Sequence, residues 1–103
     1  MGEKKLLALL RQKRGFFETI LDLTEEEATL PVLDWIAHLE QKHILLNCID
    51  ELDRDIHRYR ATFVDLSQDI SDELESIRVV VGHILHIDHT NLEKRKQQFD
   101  GHL

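Results

Sequence analysis

The chain contains one proline, one cysteine and four glycines in 103 residues. Tight turns and hairpins depend on the positive φ of glycine or the fixed φ of proline, so this scarcity argues against a turn-rich β fold. With Cys48 alone, an internal disulfide is excluded, and its position among Leu45, Leu46 and Ile49 predicts a buried thiol in a reducing compartment. Long apolar runs are missing too. Leu6 to Leu10 is too short for the core of a signal peptide and runs straight into Arg11, Lys13 and Arg14. No stretch approaches the roughly 20 apolar residues that a membrane span requires. These features predict a cytoplasmic protein with no stable membrane insertion. Positive charge is also in short supply: 13 basic residues face 20 acidic ones, a net of −7 with neutral histidines. That is the wrong sign for neutralising a phosphate backbone and argues against nucleic acid as a partner.

What the chain does have is helical periodicity. From Leu45 onward, Leu45, Ile49, Leu52, Ile56, Tyr59, Phe63 and Leu66 step by four and three, the spacing of a seam between two helices. Trp35, Leu39, Leu46 and Ile49 also return to one side of the same helix. Asp34 is placed to cap it, with Val32 or Leu33 packing back as a hydrophobic staple. The first helix carries Leu6, Leu10, Phe17, Ile20 and Leu21 on one stripe, continued by Ala28, and ends before Pro31. Gly15 interrupts it, which is expected where a neighbouring helix packs closely; a functional hinge is the alternative. Its charges run against the helix dipole, with Lys4, Lys5, Arg11, Lys13 and Arg14 first and Glu25, Glu26 and Glu27 last. Something outside the helix has to compensate. Acids on an adjacent helix would pair with the basic end, and a membrane surface or acidic partner is the alternative.

The third helix carries Ile70, Leu74, Ile77, Val81, Leu85 and Leu92, begins near Ser67 or Asp69, and reaches Phe99 before a stop at Gly101. The expected architecture is therefore all-α: an antiparallel bundle of three long helices over about 3–28, 34–66 and 70–98, in one domain spanning residues 1–103. Because no glycine or proline separates the last two, a single helix of more than 60 residues, buried against another chain, satisfies the same spacing. A short internal echo links Ile20-Leu21-Asp22-Leu23-Thr24 to Ile84-Leu85-His86-Ile87-Asp88.

Chemistry is sparse. Glu40-x-x-His43 fits one element of a carboxylate-bridged di-iron site, which needs two such elements and two further glutamates. His83, His86 and His89 fan around their helix instead of converging on a metal, although with Asp88 they form a patch able to titrate near neutrality. There is no phosphate-cradling glycine loop and no nucleophile with a plausible base, so no residue is assigned a catalytic role, and no cofactor or metal is expected. The acids Asp50, Glu51, Asp53 and Asp55 read as a solvated face. The third helix, by contrast, has more apolar surface than one seam needs: Ile77, Val80, Ile84 and Ile87 form a second stripe beside the first. That excess marks these four as the candidate partner-binding groove, with acidic residues on its rim steering a basic partner.

Several segments together carry a family resemblance. Ile20 to Thr24, then Asp34-Trp35-Ile36-Ala37-His38-Leu39-Glu40-Gln41-Lys42, then Ile49 to Asp53, and finally Ile77 to Asp88 with Asn91, resemble the flagellar export chaperones of the FliT type over most of the chain. The sharpest part is the Asp-Trp opening followed by Leu-Glu-Gln-Lys. Leu33 stands where that family often has glycine, and the chain ends where the family often continues, which puts the family's C-terminal regulatory helix in doubt. The resemblance implies a cytoplasmic chaperone of the bacterial flagellum. It would hold an amphipathic helix of an export substrate, the filament-cap protein in that family, until the export apparatus receives it. Two other readings remain: a structural or adaptor bundle that homodimerises through the third helix, and a metal-binding bundle.

Overall fold

A computed structural model of the chain describes residues 2–62 and 65–100. It is an all-α bundle of three helices: α1 (Gly2–Glu27), α2 (Val32–Arg60) and α3 (Gln68–Asp100). No strand occurs among the described residues, and no helix is long and apolar enough to cross a membrane. Phe63, the side chain of Phe99 and the stop at Gly101 fall outside what is described.

The helix ends differ from expectation for local reasons. Ala28, Thr29 and Leu30 donate to the carbonyls of Glu25, Glu26 and Glu27, so α1 tightens and ends at Glu27 instead of continuing through Ala28. Pro31, not Asp34, is the cap residue of α2, with no side-chain cap hydrogen bond. Helix α2 therefore starts two residues earlier than expected. Asp34 sits inside its first turn, and Val32 and Leu33 are exposed helix residues, not a staple. Helix α2 stops at Arg60, short of Leu66, and α3 opens at Gln68, so the continuous helix is ruled out. Ser67 supplies the start signal: its Oγ accepts from the Ile70 amide at 3.3 Å, as an N-cap serine does.

The core has two apolar clusters. In one, Leu6 and Leu10 of α1 meet Ile56 of α2 and Ile70 and Ile77 of α3. In the other, Ile20, Ile49 and Ile84 meet, one from each helix. Helix α1 is central and packs on both others, whereas among the described residues no Cα of α2 comes within 8 Å of one of α3. The basic start of α1 is tied to neighbouring acids: Lys13 reaches Asp53 at 2.7 Å and Arg14 reaches Glu73 at 2.9 Å, while Lys5 lies over the Tyr59 ring. Gly15 does not mediate close packing. A methyl group there would meet nothing within 4 Å, and the same holds at Gly82.

Candidate helix-binding crease

Where the apolar stripes end, the same core positions are polar. Helix α1 continues inward with Thr24 and Glu27, not Ala28, which is exposed. Helix α2 contributes the buried Lys42, and α3 contributes the buried Asn91. The Lys42 ammonium donates to Thr24 Oγ1 and Asp88 Oδ1, each at 3.2 Å, and sits 2.9 Å from Glu27 Oε1, so one cation joins all three helices. Glu27 is only 1% exposed. A carboxylate at that depth is tolerated because a cation lies against it.

Above this cluster α3 closes the end of α1. Asn91 donates to the Thr24 carbonyl at 3.0 Å, and Arg95 donates to the carbonyls of Glu27 and Leu30 at 2.8 and 3.2 Å. Thr24 and Glu27 belong to the last turn of α1, whose carbonyls the helix end leaves without i+4 partners, and Leu30 follows it. The guanidinium of Arg95 also lies 4.6 Å from the Trp35 ring centroid. His38 completes this end, with Nε2 3.0 Å from Glu26 Oε2.

The gap between α2 and α3 opens directly beside that network. Trp35, Leu39 and Leu92 wall a hollow of about 230 Å³ whose floor is Lys42, Asp88 and Asn91. The indole Nε1 of Trp35 is buried and has no acceptor among the described residues. Seven residues along each helix, two turns further, Leu46 and Leu85 extend the same faces. Leu39, Leu46, Leu85 and Leu92 are 41, 44, 64 and 57% exposed. The result is a crease with leucines on both banks and a salt-bridged floor.

The four residues expected to form the groove are placed elsewhere. Ile77 and Ile84 are buried in the two core clusters, 8 and 7% exposed. Val80 packs half-buried against the second cluster, and Ile87 is half-buried. Helix α1 covers Ile77, Val80 and Ile84, and the exposed apolar residues of α3 are Val79 and, on the flank facing the gap, Leu85 and Leu92. Cys48 is half-buried at the α1–α2 surface instead of enclosed. His83, His86 and His89 are exposed, as are Glu40 and His43. Among the described residues no three histidine, cysteine or acidic side chains converge as metal ligands would.

Sequence reasoning missed the polar cluster although its spacing was available. The seam that runs Ile56, Leu52, Ile49, Leu45 continues backward by three and four to Lys42, His38 and Trp35. Exposed Leu39 and Leu46 sit one position away from that seam. No family model matches the chain, and neither the curated proteins nor the solved structures include a match to it.

Proposed function

We propose that the chain is a helix-binding protein whose α2–α3 crease holds an amphipathic helix of a protein partner. In its most specific form the role is that of a cytoplasmic flagellar export chaperone, the family its sequence resembles. The partner is then an export substrate of the filament-cap type, kept from assembling early and passed on to the export apparatus. One observation carries the reading: the two helices stay apart and leave leucines uncovered on both sides of the gap. A leucine or isoleucine stripe repeating every seven residues on an incoming helix matches Leu39 and Leu46 on one bank and Leu92 and Leu85 on the other. Binding is then side-chain packing without covalent chemistry, and no residue is assigned a catalytic role.

The exposure of Leu85 and Leu92 also favours a second reading, homodimerisation through α3 as a structural or adaptor bundle. Sedimentation at several protein concentrations, with and without a synthetic helix from a filament-cap protein, separates the two. A monomer that forms a one-to-one complex supports the chaperone; a concentration-dependent dimer indifferent to the peptide supports the adaptor.

A further inference from the structure

The opposite flank of α2 carries a second depression with a different chemistry. Phe16, Cys48 and Leu52, with Gln12, Glu51 and Asp55, line a hollow of about 230 Å³. One turn further, Leu23, Ile44 and Leu45, with Thr19 and Gln41, line another of about 300 Å³. From one hollow to the next the lining residues advance by three or four on both helices, Phe16 to Thr19 and Cys48 to Leu45. They are successive segments of one trough between α1 and α2. From Gln41 to Asp55 it runs about 21 Å at 1.5 Å per residue.

Its floor is apolar, and Ile44 is 62% exposed. Its rim is acidic. Glu40, Glu51 and Asp55 share the flank of Ile44 at intervals of four, seven and eleven residues. Among the described residues Glu40 and Glu51 form no ion pair, and Asp55 meets Arg58 only at 4.0 Å, the outer limit of one. Uncompensated carboxylates beside an apolar floor fit an apolar stripe flanked by lysine or arginine. A second copy of this chain is a poor occupant. Each copy carries −7, and Lys13 and Arg14 of the basic α1 start are already paired within their own protomer.

We propose that this trough docks a basic amphipathic helix of about 14 residues, at a surface separate from the α2–α3 crease and independent of what the crease binds. The test uses two synthetic 14-residue helical peptides with the same leucine stripe, one with lysine and one with glutamate on the polar face. Each is titrated into the full chain and followed by amide NMR and by the fluorescence of Trp35, the sole tryptophan, which lies in the crease. The lysine peptide is expected to move the amides of Phe16, Leu23, Ile44 and Cys48, to leave Trp35 emission unchanged, and to bind at least tenfold more tightly than its glutamate counterpart. Glu51→Lys with Asp55→Lys, at two exposed or half-exposed sites, is expected to weaken it at least tenfold while the circular dichroism spectrum stays helical. Equal affinity of the two peptides, unchanged affinity in the double variant, or binding abolished by Leu85→Lys with Leu92→Lys would overturn the proposal.

Discussion

Lys42 of α2 ties the three helices together at one point, because α1 places Thr24 and Glu27 and α3 places Asp88 around its ammonium. Removing a single partner of a buried pair strands the other charge, so Lys42→Ala is expected to destabilise the fold by about 3–5 kcal/mol. Restoring apolar packing with Lys42→Met and Glu27→Leu together should recover most of that loss. Urea unfolding of Lys42→Met, Glu27→Leu and the double variant measures the coupling. Additive losses would mean that the pair does not act as a unit. Gly15 gives the opposite sign. It lies in the middle of α1 with open space around its Cα, so Gly15→Ala should stabilise by about 0.5–1 kcal/mol in the same experiment. The two cases differ in legibility. Lys42 occupied a seam position, and its burial could be read from the spacing of Leu45, Ile49 and Leu52. The surroundings of Gly15 depend on which face of α1 its neighbours cover, which no single-helix pattern records.

At the scale of elements, three helices and their order were legible because the four-and-three spacing is long and unbroken in each. The boundaries were less so. Leu66 fits the seam of α2 by spacing, yet α2 ends at Arg60, and Leu66 lies half-buried beside the first core cluster ahead of α3. Ser67 was legible as a start because its side chain supplies a backbone hydrogen bond that α3 would otherwise lack. Ser67→Ala should therefore cost about 1 kcal/mol, whereas Asp34→Ala, which removes no cap bond, should cost only the dipole contribution of roughly 0.3–1 kcal/mol. Denaturation midpoints of the two variants distinguish cap from dipole. The reversed charge order of α1 also finds its explanation between elements. Its acidic end has no basic residue in its last turn, and Arg95 of α3 brings a cation to those carbonyls instead. The exposed Glu75–Arg78 pair is a different matter. The Arg78 hydrogen bond holds the Glu75 carboxyl below its ordinary range, but the pair stays within one helix and at the surface, where ion pairs contribute little.

At the scale of the whole molecule, the internal echo takes on a spatial meaning. Helices α1 and α3 run parallel and α2 antiparallel to both, with α1 packed between the other two. Ile20 and Ile84 share one core cluster, and Thr24 and Asp88 both contact the Lys42 ammonium. The echoed segments thus lie at one level and offer similar positions to the same stretch of α2. Which flank of α3 is left over is decided by that arrangement. Ile77, Val80, Ile84 and Ile87 were as plausible for a partner as Leu85 and Leu92, since apolar residues spread around most of this helix. Only the placement of α1 over this face assigns Ile77 and Ile84 to the core. The assignment predicts opposite responses to charge. Leu85→Lys with Leu92→Lys, at sites 64 and 57% exposed, should leave stability within about 0.5 kcal/mol per site while abolishing binding of a filament-cap helix in the α2–α3 crease or concentration-dependent dimerisation. Ile84→Asp, at a site 7% exposed, should cost at least about 3 kcal/mol through a buried, unpaired carboxylate. Thermal melts and sedimentation on the two variants decide the matter, because a crease that is merely structural would lose stability, not binding, when its leucines are charged.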